Sequence, residues 1–129
     1  MFYIMEDALD FILGASRSAY PREFAGLLSG DKEKKIIKEV LFLPGTEVSG
    51  TSAYIRTDML PLDPSVLGSV HSHPGRSARP SESDLRFFSK FGVIHIITRY
   101  PYSGMEDVFA YNRKGERMHL EVISEKDIF

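Results

Sequence analysis

At 129 residues with 43% apolar content, the chain suits one domain, residues 1–129, around one real core. Its formal charge of −2, pI near 6.1 and lack of any long Lys/Arg cluster exclude a phosphate track, and with it nucleic acid. The absence of cysteine excludes disulfides, thiol catalysis, Cys zinc sites and the zinc deaminases, whose site needs cysteine ligands.

No window approaches the ~20-residue apolar span of a membrane helix, and no basic region precedes an apolar run at the N-terminus. The expectation is a soluble, cytoplasmic protein. Phe2-Tyr3-Ile4 reads as a short strand, and Glu6 to Tyr20 as a helix with Ala8, Phe11, Ile12 and Ala15 on one face. Phe24–Ser29 and Lys35–Leu43 read as a hairpin around the mixed-charge tip Asp31-Lys32-Glu33-Lys34-Lys35, ending at Pro44-Gly45. Thr46–Ser52 is expected as a polar loop and Ala53–Thr57 as a strand, before Pro61-Leu62-Asp63-Pro64 breaks the chain. Leu67-Gly68-Ser69-Val70 reads as a short buried strand running into His71-Ser72-His73-Pro74. Ser81–Phe91 reads as an amphipathic helix stopped by Gly92. Strands are expected at Val93–Arg99, Met105–Tyr111 and Arg117–Ser124, the last two joined by the turn Asn112-Arg113-Lys114-Gly115. Helices set among these strands give an α+β class: one curved, mostly antiparallel mixed sheet flanked by helices.

The chemistry concentrates between His71 and Asp84. Side chains at i and i+2 of a strand share a face, so His71 and His73 can converge on one ion. Asp84, eleven residues after His73, falls in the first turn of the following helix. Two neutral imidazoles and one carboxylate make a three-ligand zinc set that leaves a fourth position for water, the pattern of a catalytic zinc. Ser81-Glu82-Ser83-Asp84 also reads as a capping box, with Ser81 as N-cap and an acid at N3. The two roles are compatible, because a cap fixes the backbone on which Asp84 sits. His95 and His119 read as core or edge residues, outside the site. Zinc hydrolysis also needs a base, and Glu23, at the junction of helix and strand after Pro21, is the best-placed carboxylate. On the residues alone, Glu23 reads equally well as an ordinary solvated acid.

Glu23 with Gly26-Leu27-Leu28-Ser29-Gly30, then His71-Ser72-His73-Pro74, then Pro80-Ser81-x-x-Asp84, resembles the signature of the JAMM (MPN+) metallopeptidases. Thr57-Asp58-Met59-Leu60 and Leu67-Gly68-Ser69-Val70 are similar to that family's approach to its zinc strand. The resemblance runs from Met1 to about Ile123. It implies one zinc per chain on His71, His73 and Asp84, Glu23 as general base and later acid, and Ser81 as hydrogen-bond donor to the developing oxyanion. It further implies an isopeptidase, acting on conjugates of a ubiquitin-like modifier after the C-terminal Gly-Gly. Trimming of a sulfur-carrier tail or cleavage of a cell-wall peptide are alternative substrates for the same chemistry. A non-catalytic scaffold is a third reading, against which the complete motif argues.

Overall fold

The computed structural model describes residues 1–41, 47–49, 52–54 and 64–127. In chain order it contains β1 (Phe2–Met5), α1 (Glu6–Ala19), β2 (Ala25–Asp31), β3 (Ile36–Leu41), β4 (Glu47–Ser49), β5 (Ser52–Tyr54) and β6 (Val66–His73). There follow α2 (Glu82–Lys90), β7 (Ile94–Arg99), β8 (Val108–Tyr111), β9 (Arg117–Met118) and β10 (Leu120–Ile123). Eight strands form one sheet in the order β10-β1-β3-β2-β6-β7-β8-β9. Four of its pairings are antiparallel and three parallel, so the mixed, mostly antiparallel sheet of an α+β fold is what forms.

Side-chain alternation sorts this sheet into two faces. On β7, Ile94 and Ile96 join the main core with Val70 of β6, Ile4 of β1 and the buried stripe of α1. Ile97, one residue out of phase, packs with Ala78, Phe88 and Tyr111 on the opposite face, under α2. The inward stripe of α1 is Ala8, Leu9, Ile12, Leu13 and Ser16. This corrects the expected stripe, because Phe11 is 42% exposed and meets Phe24 edge-on at 6.3 Å. Both stripes contain Ala8 and Ile12, and the two leucines turn the helix their way. Ser16 is admitted to the core because its hydroxyl donates to the Ile12 carbonyl at 2.7 Å and bonds Thr98 of β7 at 2.9 Å.

Two further expectations are corrected. Arg117–Ser124 is not one strand: β9 pairs with β8, whereas β10 pairs in parallel with β1 at the far edge. Only His119 separates them, and two residues span at most about 7 Å. The sheet therefore curls until its edges nearly meet. Within the polar stretch Thr46–Ser52, Glu47–Ser49 is a strand, paired antiparallel with Ser52–Tyr54. The remainder of that stretch, residues 55–57 of the expected following strand and residues 57–63 lie outside the described residues.

The turn from α2 into β7 is close-packed. Gly92 adopts φ of 69°, a left-handed conformation that glycine tolerates, and lies against Gly68. A Cβ on Gly68 would stand 1.6 Å from the Ile94 carbonyl oxygen, so β6 accepts only glycine there.

Candidate active site

The site grows from the last turn of the β6 alternation. Ser69, His71 and His73 point to the face carrying α2, while Val70 and Ser72 are buried on the other. Ser72 locks the neighbouring strand. Its backbone N–H donates to the Phe24 carbonyl at 2.9 Å, and its hydroxyl accepts from the Phe24 N–H at 2.8 Å. In the β2–β6 register Ala25 faces His71, and extending that register by two residues puts Glu23 opposite His73. Glu23 thus projects from the same face as both imidazoles. Tyr20 stacks with Tyr100 at 4.8 Å and meets Tyr102 at 6.4 Å, tying down the turn that delivers Glu23. One donor atom from each of Glu23, His71 and His73 lies within 4.8 Å of the others.

Asp84 arrives from α2. Ser81 is the N-cap: its hydroxyl accepts from the Asp84 N–H at 3.1 Å, and Asp84 Oδ2 accepts from the Ser81 N–H at 2.8 Å. The same carboxylate faces the histidines, Oδ1 standing 3.1 Å from His71 Nε2 and Oδ2 3.3 Å from His73 Nε2. The two Nε2 atoms are 3.2 Å apart. His73 Nδ1 lies 3.1 Å from the Ser77 carbonyl, which assigns the proton to Nδ1 and turns the Nε2 lone pair into the site. The buried Tyr102 donates its hydroxyl to the His73 carbonyl at 2.7 Å, fixing the backbone from the other side.

Electrostatics follow from this geometry. Burial alone would raise the Asp84 pKa, yet hydrogen bonds from His71 and His73 hold it well below the usual carboxylate range. For His73, burial opposes a proton, but Asp84 and the Ser77 carbonyl outweigh it and the pKa is raised. The Glu23 pKa is raised as well, because burial exceeds the downward pull of His71 and His73. Two imidazole lone pairs and a carboxylate converging within 3.3 Å need a cation or a shared proton between them. The arrangement can therefore hold a metal ion: Glu23, His71 and His73 form a group of donors close enough to share one, and the Asp84 carboxylate borders both histidines.

All five residues singled out from the sequence gather here, Ser81 through its bond to Asp84. His95 and His119 stay outside: His95 is buried against Phe88, and His119 is exposed beside Glu121. Sequence reasoning missed Ser72, Ser77 and Tyr102. Ser77 acts through a backbone carbonyl, which leaves no trace in residue type.

Residues 5–113 match the family of prokaryotic homologs of the JAB domain. Over 128 residues the chain is 40% identical to a probable metalloprotease of Haloferax volcanii, covering 93% of this chain and 78% of that one. A JAB1/MPN domain protein from Archaeoglobus fulgidus is 41% identical, with a TM-score of 0.73 over 95% of this chain and 97% of its own. The structure of JAMM, described as a metalloprotease-like zinc site in the proteasome and signalosome, is also 41% identical. Its TM-score is 0.74, over 95% of this chain and 98% of its own. A protein from Desulfitobacterium hafniense shares the fold at 22% identity, with a TM-score of 0.65 over 97% and 94% of the two chains. The family match runs from the last residue of β1 into the turn after β8 and takes in Glu23, both histidines, Ser81 and Asp84; the chain belongs to the prokaryotic JAB-domain family.

Proposed function

We propose that this protein is a zinc-dependent isopeptidase that cleaves after the C-terminal Gly-Gly of a ubiquitin-like modifier. The observation that carries the metal reading is the spacing of the donors. Nitrogens and oxygens about 2.0–2.1 Å from a tetrahedral zinc stand about 3.3 Å apart. Here the two Nε2 atoms stand 3.2 Å apart, and each meets one Asp84 oxygen at a similar separation, His71 with Oδ1 at 3.1 Å and His73 with Oδ2 at 3.3 Å. One zinc per chain would thus sit on His71, His73 and Asp84, a set of borderline and hard donors that suits it. When bound there, zinc supplies a Lewis acid for the scissile carbonyl and acidifies a water.

The protein's own groups do the rest. Glu23 takes the proton of the attacking water, and its partly desolvated carboxylate holds that proton until it passes to the leaving amine. The Ser81 hydroxyl oxygen accepts from the Asp84 N–H, which leaves its own hydrogen available to donate to an oxyanion. The Ser77 carbonyl, accepting from Nδ1, holds the His73 ring in one tautomer throughout. The modifier tail would lie extended as an added strand along the segment around Ala53 to Thr57, with glycines where a side chain would hinder approach of the carbonyl. The 40% identity to a probable metalloprotease supports the peptidase half of this reading.

The test is incubation with conjugates of a ubiquitin-like modifier, with and without a chelator. Cleavage should vanish on chelation and return with zinc. Linear fusions and several acceptor lysines should react at rates within about tenfold of each other, a spread of about 1.4 kcal/mol. Changing the modifier's final Gly to Ala should cost far more. Chelator-resistant cleavage, or tolerance of that Ala with a strong linkage preference, contradicts the proposal.

A further inference from the structure

Beside the site, on the β8–β9 side, lies a cleft of about 560 Å³ whose lining includes four arginines: Arg76, Arg79, Arg99 and Arg117. The chain as a whole is formally negative, so this is a local concentration of positive charge against the trend. Among the described residues only Arg99 is neutralised, by Asp107 at 3.0 Å, with a further bond to the Glu106 carbonyl at 2.9 Å. Among the described residues no carboxylate pairs with Arg76, Arg79 or Arg117. Arg99 and Arg117 both stack on the Phe109 ring, at 4.8 and 4.4 Å, and Arg76 lies over Tyr100 at 5.5 Å. These rings hold the guanidiniums in place without discharging them.

The cleft is joined to the site by one short segment. The loop from Arg76 to Pro80 forms its lip, and Tyr111 in its wall donates to the Ala78 carbonyl at 2.7 Å. That same loop offers the Ser77 carbonyl to His73 and then runs into Ser81 and Asp84. A chain crossing the site toward β9 would pass over these arginines.

We infer that this cleft binds a carboxylate-rich segment of the protein substrate, next to the bond being cleaved. The identification of the bound chain as a substrate rests on the peptidase reading; the anion site itself does not. Nucleic acid suits the cleft less well. Phe109 is covered by two guanidiniums and offers no open face for a base, and the net negative chain repels a long polyanion. Planar guanidiniums match carboxylates in pairs.

The probe is a short fluorescein-labelled oligo-glutamate peptide, with oligo-lysine and oligo-thymidylate as comparisons, read by fluorescence anisotropy. Oligo-glutamate should bind the zinc-loaded protein, more weakly at physiological than at low salt. Arg79→Gln with Arg117→Gln should weaken binding by about tenfold or more. Both residues are exposed, and Arg79→Gln alone provides a second variant that leaves the Phe109 stack intact. In turnover, conjugates with acidic residues flanking the acceptor lysine should exceed basic ones in kcat/KM, and the double variant should erase that difference. Equal binding by wild type and double variant, or tighter binding of oligo-thymidylate than of oligo-glutamate, overturns the inference. A failure of cleavage with binding intact counts against the peptidase reading and leaves the cleft assigned.

Discussion

Replacing the buried His95 by Gln should flatten the acid limb of this protein's stability. The His95 ring has no exposed surface and lies 4.2 Å from that of Phe88, nearly parallel to it. Its Nδ1 bonds the Ser69 hydroxyl at 2.7 Å, while Nε2 has no hydrogen-bond partner among the described residues. Burial lowers the pKa from an ordinary 6.5 to about 4, against a smaller upward pull from the nearby Phe91 and Phe88 carbonyls. Between those two values the unfolded chain carries a proton on this ring that the folded chain refuses. His95 therefore contributes stability that is complete above pH 6.5 and is lost as pH falls through about 4. A gap of that size corresponds to about 3 kcal/mol. Folded domains hold only about 5–15 kcal/mol in all. The loss bears on the site, because Phe88 is the one buried side chain of α2, and α2 carries Asp84. Gln keeps a hydrogen bond to Ser69 and cannot titrate. Urea unfolding of metal-free wild type and His95→Gln, at steps from neutral pH to about 4, should show the wild type more stable at first. The gap should then narrow by about 3 kcal/mol. Parallel losses in the two proteins would refute this account of His95.

Asp84→Ala should lose zinc, measured by elemental analysis, and about 1 kcal/mol of stability with the cap, whereas Asp84→Asn should keep the cap and still lose most of the metal. Full metal retention by both removes Asp84 from the site. Glu23→Gln should keep zinc near one per chain while turnover falls by at least ~10²-fold. Near-normal turnover there takes Glu23 out of the mechanism. Ser81→Ala should cost about 1 kcal/mol in denaturant titration and slow turnover by ~10²–10³; a rate loss no larger than the stability loss explains would reduce it to a cap. Gly68→Ala should lower stability by about 1–3 kcal/mol through overpacking against the Ile94 carbonyl, and an unchanged Tm would contradict that close approach.

His71, His73 and Asp84 are legible in the sequence because local periodicity places them. A strand aligns i with i+2, and a capping box aligns the N-cap with N3, so three donors fall within reach of one point. Glu23 is a different matter. Its position depends on the pairing of β2 with β6, between segments nearly fifty residues apart, and no local pattern encodes that register. The motif resemblance identifies Glu23 where periodicity is silent. Tyr102 is hidden for a further reason: it adopts φ of 61°, a conformation rare for an aromatic residue, so nothing in its type announces the turn that brings its hydroxyl to His73. The split of Arg117–Ser124 escapes as well, since alternation continues through His119 while the pairing partner changes.

That change of partner sets an order of events during synthesis. Glu23, His71, His73 and Asp84 all emerge from the ribosome before the strand that closes the sheet, because Leu120 must reach back 118 residues to Phe2. Until it does, β1 can pair with β3 on one side only, and its other edge is open to any passing strand. The residues of the site are thus all synthesised before the strand that covers this edge. The interval between the two is when a nascent copy is most exposed to its neighbours on the same message.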